Sequence, residues 1–176
     1  HPFAMSMVSL IKRMVPEQDG VVSNKISEKY TDPAANAKAL KSISYLLGSE
    51  ITGICEIPDY AWYSNRKDGS EIPYKHKYAV VMLIDQGYET MEGASGDDFI
   101  SGAQSMRAYM RGAEIAGVIA EHLRANGFPS RSQTNADSDV IHTSLVMWAG
   151  LGELSRIGEV VLNPFIGPRL KTVVLT

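Results

Sequence analysis

The spacing of apolar residues along the chain predicts helices that alternate with strands. The clearest helix lies between Asp32 and Gly48. Asp32 is a typical N-cap, Pro33 occupies the first helical position, and Gly48 stands where a C-cap glycine belongs. Leucine and isoleucine recur between these ends at helical spacing. This stretch is therefore predicted to be a helix with one apolar face.

Runs of apolar and β-branched residues predict the strands. Residues 51–57 and 78–84 are predicted to be buried strands, the second of them central in a sheet, and residues 173–175 form a last strand. The stretch 61–77 is polar and rich in aromatic residues, and residues 87–96 are rich in glycine and acidic residues. Both stretches are predicted to lie outside regular structure.

The longest predicted helix runs from about Asp98 to Asn126, and the acidic pair Asp97-Asp98 suits the positive end of its dipole. Its apolar stripe follows the i, i+3, i+4, i+7 pattern, with small residues in the later half that let a neighbour approach. The stripe consists of Met106, Tyr109, Met110, Ala113, Ala116, Gly117 and Ala120. A shorter helix is predicted over 138–149, with Ile141, Leu145 and Trp148 on one side.

Composition and charge narrow the functional classes. The chain has 176 residues, of which 44% are apolar and 21% charged, as expected of one globular domain. The formal net charge of −3 and the lack of a basic cluster argue against nucleic acid and against an acidic membrane surface as partners. No apolar run approaches the roughly 20 residues that span a bilayer, so a soluble protein without a membrane contact is expected.

The two ends of the sequence suggest a piece of a longer chain. His1 stands where a start methionine is expected, and the last predicted strand stops at Thr176 without a polar tail. We therefore expect residues 1–176 to be a single domain excised from a larger protein. Targeting at the native N-terminus stays open.

Few side chains suggest a metal held by the protein or a bound nucleotide. Cys55 is the only cysteine, and the four histidines have no ligand spacing, which argues against a disulfide framework, a zinc site and an iron–sulfur site. Gly150, Gly152 and Gly158 invite comparison with a dinucleotide-binding loop. However, Ser155 takes the third glycine position of that motif, and the preceding segment is predicted to be helical where the motif requires a strand.

Tyr109 and Lys171 are candidates for acid chemistry, each with a plainer alternative. On the apolar stripe, Tyr109 is either a core residue or a phenol that donates a proton into a cavity. The second role needs a nearby cation, because a phenol with a pKa of about 10 is a weak acid at neutral pH. Lys171 either supplies that charge or is a solvated lysine at the end of a strand, and sequence spacing leaves both open.

The segment AGLGELSRIGEVVLNPFIGPRLK, residues 149–171, carries a specific resemblance. It resembles the glycine-rich signature of the cobalamin-dependent reductive dehalogenases, and is most similar to their catabolic, oxygen-tolerant branch, which acts on halogenated phenols. Two further passages are similar to the same family: TDPAANAKALKSISYLLGSEITGICEI and SMRAYMRGAEIAGVIAEHLRANGFPSR. The resemblance extends over essentially the whole chain.

This resemblance implies a fold and a site. The implied fold is an α/β structure (an α+β sandwich), a nitroreductase-like cobalamin-binding core in which helices flank a central sheet. The catalytic tyrosine of the family falls on Tyr109, its cationic partner on Lys171, and a residue of the substrate pocket on Ser105. The glycine-rich segment would border the cobalamin through Gly150, Leu151, Gly152, Leu154, Ser155, Arg156, Ile157, Gly158, Leu162, Asn163 and Pro164.

The resemblance also implies the chemistry. A base-off cobalamin, reduced through two 4Fe–4S clusters whose ligands lie outside this sequence, breaks the carbon–halogen bond of a halogenated aromatic, and Tyr109 protonates the carbon. Lys171 would stabilise the tyrosinate and lower the pKa of the phenol. The electrons would come from a reductase or a ferredoxin-type donor, and the location would be cytoplasmic. The iron–sulfur domain and the N-terminal part of the family are absent from this sequence, so the piece alone is expected to be inactive.

Three alternatives belong to neighbouring classes. Epoxyqueuosine reductase has a similar glycine-rich run, but this chain lacks the basic surface expected of an enzyme that modifies tRNA. The same nitroreductase-like fold often binds FMN, which a yellow rather than a red chromophore would reveal. A non-catalytic corrinoid-binding module would bind cobalamin, and Tyr109→Phe would then leave halide release unchanged.

Overall fold

An antiparallel sheet occupies the middle of the computed structural model, which describes residues 1–95 and 99–176. Within these residues its four strands are β1, Ile51–Glu56; β2, Tyr78–Asp85; β3, Ser132–Gln133; and β6, Leu170–Leu175. Their order across the sheet is β1-β2-β6-β3, and each neighbouring pair is antiparallel. Two short strands, β4 at Glu153–Leu154 and β5 at Val161–Leu162, form a separate hairpin.

The helices of the described residues are α1, Pro2–Arg13; α2, Pro33–Leu46; α3, Tyr88–Glu92; α4, Phe99–Ala125; and α5, His142–Trp148. Helix α2 begins and ends as predicted, because the Asp32 carboxylate accepts a hydrogen bond from the Ala34 N–H and Gly48 follows with a φ of 99°. No helix in these ranges is long and apolar enough to cross a membrane.

The sheet is buried on both of its faces. Along β2, Val81 and Leu83 belong to one apolar cluster, and Val80 and Met82 belong to another on the opposite side. Helix α5 and the segment that follows it cover the first face, while α2 and α4 cover the second. The prediction of a central sheet flanked by helices is therefore confirmed.

Helix α4 meets the sheet with a face that is rotated from the predicted stripe. Gly112 lies against β6, where an added Cβ atom would come within 3.0 Å of Val173 Cβ. This close approach turns Ala108, Ile115 and Ile119 into the core, together with Ala113, Ala116 and Ala120 of the predicted stripe. The other stripe residues, Met106, Tyr109, Met110 and Gly117, are only partly buried. The small residues of α4 widen its apolar face, so spacing alone misplaced the centre of that face.

Several elements differ from the predicted pattern. Helix α1, which packs against α4, has no counterpart among the predictions, and α3 lies in a stretch predicted to be a loop. Helix α5 begins at His142 rather than at residue 138, and Trp148, predicted on its apolar side, is 57% exposed. The predicted helix start at Asp97-Asp98 lies outside the described residues.

Candidate active site

Tyr109 and Lys171 meet on the sheet face that α4 covers. The Lys171 ammonium nitrogen lies over the Tyr109 ring, 5.2 Å from its centroid, in a cation–π contact. Both side chains are partly buried. The structure thus places Tyr109 at the border of the core, where part of the residue is accessible, rather than within it.

The packing of α4 on β6 explains this contact. Gly112 touches Val173. Tyr109 precedes Gly112 by three residues, so it lies on the same side of the helix, and Lys171 precedes Val173 by two residues, so it lies on the same face of the strand. The close approach at the glycine therefore brings the phenol and the ammonium together.

Burial shifts the pKa values of the two groups in opposite directions. It raises the pKa of the Tyr109 phenol and lowers the pKa of the Lys171 ammonium, because each charged form loses hydration. We expected Lys171 to lower the phenol pKa, but burial is the cause of the shift and it acts in the opposite direction. The ammonium lies over the ring, and among the described residues no hydrogen bond joins the two side chains. The phenol is therefore protonated at neutral pH, as a proton donor must be.

Ser105 lies one turn before Tyr109 on the same side of α4. Its hydroxyl accepts a hydrogen bond from Gln86 Nε2 at 2.9 Å. The Gln86 N–H in turn donates to the Arg169 carbonyl at 3.0 Å, just before β6 begins. Ser105 and Gln86 therefore tie the end of β2 and the start of β6 to the helix that carries Tyr109.

An open cleft of about 530 Å³ adjoins Tyr109. It lies beside the outer edge of β6, where β3 pairs only with Val174 and Leu175 and leaves residues 170–173 without a strand partner on that side among the described residues. Most of the lining residues have uncharged polar side chains, although the walls expose more carbon than nitrogen or oxygen: Tyr63, Asn65, Lys67, Tyr109, Thr134, Asn135, Ser138, Val140, Ile141, His142, Thr143 and Thr172.

His142, the first residue of α5, lines the same cleft and contacts β6. Its Nδ1 lies 3.2 Å from the Thr172 hydroxyl, and its Nε2 lies 3.1 Å from the Ser138 hydroxyl. Burial lowers the pKa of His142 to about 4, so the ring is neutral at physiological pH. No role was predicted for His142, Ser138 or Thr172 from the sequence. The contact of His142 with Thr172 joins residues that are distant along the chain, and its contact with the nearby Ser138 belongs to no motif considered.

A buried ionic network holds two walls of the cleft together. Asp139, 2% exposed in its side chain, accepts two hydrogen bonds from Arg66, at 3.0 and 3.2 Å, and lies 3.2 Å from Arg131. Lys67 donates a hydrogen bond to the Ala136 carbonyl. The stretch that carries Arg66 and Lys67 is thereby fixed against the loop before α5.

The glycine-rich segment 150–164 forms a turn and a hairpin after α5. Gly150 and Gly158 have φ values of 69° and 78°, a conformation that other residues rarely adopt. Gly152 packs inside the hairpin, where an added Cβ atom would come within 2.7 Å of the Leu162 carbonyl oxygen. The hairpin itself therefore requires these three glycines, a reason different from close approach to a cofactor.

The outer surface of this hairpin is apolar. Leu154, Ile157 and Leu162 are 42%, 72% and 44% exposed, and Arg156 and Pro164 are exposed beside them. The Ser155 hydroxyl behaves differently, since it is buried without a hydrogen-bond partner among the described residues. An outside group that covered this surface would bury the apolar side chains.

Two residues of the segment that were predicted to contact the cofactor, Leu151 and Asn163, serve the fold. Leu151 is buried in the core, where an added Cβ atom on Gly53 would meet its side chain at 3.0 Å. The Asn163 amide donates to the Leu151 carbonyl, while its Oδ1 accepts from the backbone N–H groups of Phe165 and Ile166. Both side chains are therefore already used within the chain.

The segment and the cleft lie at opposite ends of α5. No residue from 150–164 lines the cleft, which begins at His142, whereas the segment starts after Trp148. The structure therefore brings Tyr109, Lys171 and Ser105 to one place and sets the hairpin apart from them. No group of three or more histidine, cysteine or acidic side chains within 1–95 and 99–176 is placed to hold a metal ion.

Comparisons with known proteins concern the whole chain. No protein-family model matches it, and no curated protein matches it. Among solved structures, it is 54% identical over its full length to the catabolic reductive dehalogenase NpRdhA, with a TM-score of 0.92. The same values hold for NpRdhA in complex with 3-bromo-4-hydroxybenzoic acid, and for a reductive dehalogenase whose structure suggests a mechanism for B12-dependent dehalogenation. The chain spans about a quarter, 26%, of the length of each of these proteins.

Proposed function

We propose, from the premise that this chain belongs to the reductive dehalogenases, that it is the cobalamin-binding catalytic core of an enzyme that removes halogen from halogenated aromatics. Residues 1–176 would be one domain of a longer protein whose iron–sulfur domain lies elsewhere. The proposal rests on the position of Lys171 over Tyr109, beside an open cleft lined mainly by polar residues.

Features of this chain fit a cobalamin, whose corrin ring has broad apolar faces and a fringe of amide groups. The exposed leucines and Ile157 of the hairpin offer an apolar surface, and the unpartnered Ser155 hydroxyl offers a hydrogen bond. Asn65 and Asn135 in the cleft can both donate to and accept from amides. When bound, the cobalamin supplies the reduced cobalt at which the carbon–halogen bond is broken.

Tyr109 and Lys171 supply the protein's share of the reaction. Replacing a halogen by hydrogen takes up two electrons and one proton and releases a halide ion. The protonated Tyr109 phenol donates that proton to the ring carbon. Because burial raises the pKa of the phenol, the tyrosinate left behind is costly, and the Lys171 ammonium stabilises it.

Halogenated phenols are the substrate class that we propose. NpRdhA has been solved with 3-bromo-4-hydroxybenzoic acid, which is a halophenol. The cleft beside Tyr109 holds several side-chain hydroxyl and amide groups able to hydrogen-bond a ring hydroxyl, and Lys67 adds a positive charge. An apolar halide without a hydroxyl would leave these groups unpaired.

The electrons would enter from outside this chain. We propose two 4Fe–4S clusters, held by the rest of the full-length protein, which a reductase or a ferredoxin-type donor reduces in the cytoplasm. The described residues of this chain hold no cluster of cysteines, and Cys55 is buried.

The proposal is tested in the full-length protein that carries this chain, reconstituted with cobalamin. Tyr109→Phe removes the donated proton and is expected to lower bromide release from a bromophenol by about 10²–10⁴-fold, the usual contribution of a general acid. Bound cobalamin, measured by its absorbance, is expected to stay at the wild-type level.

Tyr45→Phe is the matched control, because Tyr45 is exposed on α2 and should leave bromide release unchanged. Full activity of Tyr109→Phe would remove the proton-donor role, and this chain would then contribute to the enzyme only as a corrinoid-binding module. A yellow flavin chromophore in place of a red corrinoid would contradict the cofactor assignment.

A further inference from the structure

Lys171 lies on a stretch of β6 that is paired on one side. Toward β2 it is paired opposite Ile84, but β3 reaches only Val174 and Leu175 on the other side. A strand segment with one neighbour loses the backbone hydrogen bonds that would fix its outer edge. Something other than the sheet must therefore hold the position of Lys171 at that edge.

The imidazole of His142 occupies this place. Its Nδ1 contacts the Thr172 hydroxyl at 3.2 Å and its Nε2 contacts the Ser138 hydroxyl at 3.1 Å. Ser138 is itself fixed, because its hydroxyl donates to the Val140 carbonyl at 2.9 Å. Each ring nitrogen thus has a hydroxyl partner, a pattern that a neutral ring, with one donor and one acceptor nitrogen, satisfies.

Thr172 and Lys171 are neighbours that face opposite sides of the sheet. Thr172 contacts the α5 side through His142, and Lys171 contacts the α4 side through Tyr109. Fixing the Thr172 side chain therefore restricts the rotation of the backbone that aims Lys171 at the phenol.

We infer that His142 is a positioning residue: by holding Thr172 at the free edge of β6, it keeps Lys171 over the Tyr109 ring. The importance of this positioning for the reaction rests on the proposed function. The positioning of Lys171 by His142 through Thr172 does not depend on it.

The neutral state of His142 supports this role. Its pKa of about 4 leaves the ring uncharged at neutral pH, so it adds no positive charge beside an ammonium whose own pKa burial already lowers. A second cation at this edge would favour the uncharged form of Lys171.

The test follows the Lys171 amine by NMR in the full-length protein after isotope-labelled methylation of lysines, with Lys171→Arg to assign the signal. The ring of Tyr109 should shift the Lys171 methyl signal upfield, and Tyr109→Leu should abolish that shift. His142→Leu, which cannot hydrogen-bond, is expected to abolish the shift as well, whereas His142→Gln, which can, is expected to restore most of it.

Thr172→Val removes only the hydroxyl that His142 contacts, and is expected to reproduce the His142→Leu result even if the leucine variant folds poorly. Thr143→Val is the control, since it removes a hydroxyl of the same cleft and should leave the Lys171 signal in place. An unchanged Lys171 signal in both Thr172→Val and His142→Leu overturns the inference. A lost signal with full bromide release supports the positioning role and instead contradicts the proposed role of Lys171 in the reaction.

Discussion

Tyr109 and Lys171 are residues whose charge depends on burial. Burial raises the phenol pKa, so Tyr109 keeps its proton as the pH rises, and it lowers the Lys171 pKa, so the ammonium loses its charge earlier than an exposed lysine does. Lys171 should therefore set the alkaline limit of the reaction.

Lys171→Arg tests this assignment. A guanidinium stays protonated at every pH at which the protein is folded, so the alkaline fall in kcat should move to higher pH. The level of kcat at neutral pH is expected to drop, because a planar guanidinium does not fit the ammonium position. The measurement is the rate of halide release by the full-length holoenzyme from neutral pH to about pH 10. If kcat of Lys171→Arg still falls at the wild-type pH, the alkaline limit belongs to a group other than Lys171.

The members of this pair could be named from the sequence, but their contact could not be predicted. Their spacing places them on a helix and a strand that are distant along the chain. Only the approach of Gly112 to Val173 brings them together, and a pattern of apolar positions does not record which helix face meets which strand. The link from His142 to Thr172 left no periodic signal either.

Among the helices and strands, the packing of α4 depends most on glycine, which has no side chain. It carries two interior glycines with opposite surroundings: an added Cβ atom on Gly112 would meet Val173 Cβ at 3.0 Å, whereas one on Gly117 meets nothing within 4 Å. Val173 is buried in the central sheet and cannot yield easily.

The same substitution at both positions should change stability in opposite directions. Gly117→Ala is expected to raise the free energy of unfolding by about 0.5–1 kcal/mol, because alanine favours the helix. Gly112→Ala is expected to lower it by about 1–2 kcal/mol, because overpacking against Val173 outweighs that gain. Urea unfolding of both variants measures the difference. Stabilisation by Gly112→Ala would show that α4 can move away from β6 at little cost.

Elements with strong end signals were predicted well. The prediction for α2 was confirmed because its N-cap and C-cap residues stand at both ends, and the prediction for β2 was confirmed because it is a nearly continuous apolar run. The prediction for β1 was confirmed although Thr52 and Gly53 interrupt its apolar residues. Helix α1 was missed although Ala4, Met7 and Ile11 are buried at helical spacing, since exposed Phe3, Met5 and Leu10 blur its apolar face.

On the scale of the whole molecule, one ionic network joins segments that are far apart in the sequence. Asp139 pairs with Arg66 and Arg131, and Arg131 also pairs with Asp19 and Asp137. These contacts hold the walls of the cleft on both sides.

Asp139→Ala removes the most buried carboxylate of the network, although Arg131 keeps Asp19 and Asp137 as partners. Because buried donors of Arg66 and Arg131 lose an acceptor, the change is expected to cost about 1–3 kcal/mol of the free energy of unfolding. Glu50→Ala is the matched control, because the pair of Glu50 with Arg111 is about one-third exposed on both sides and should contribute about 0–1 kcal/mol. Chemical denaturation of both variants gives the comparison. Equal losses would mean that the buried network does not hold the cleft walls together.

The overall architecture could be predicted more fully than the site. Apolar runs and caps predicted alternating helices and strands, and the family resemblance implied the central sheet flanked by helices. The cleft could not be predicted, because it arises where β3 ends early and β6, still paired with β2, has no described strand on its outer edge. The placement of the glycine-rich hairpin at the far end of α5 also depends on tertiary packing, and it makes the location of the cofactor the central question.

The position of cobalt in the full-length holoenzyme decides whether Tyr109 and Lys171 serve the reaction. Anomalous diffraction at the cobalt absorption edge marks the metal in a crystal without relying on the position of any side chain. We expect the cobalt peak in front of the cleft, on the side from which Tyr109 and Lys171 are both accessible. A cobalt peak on the opposite side of α4, or beside α2, would contradict the proposal that this pair serves the reaction.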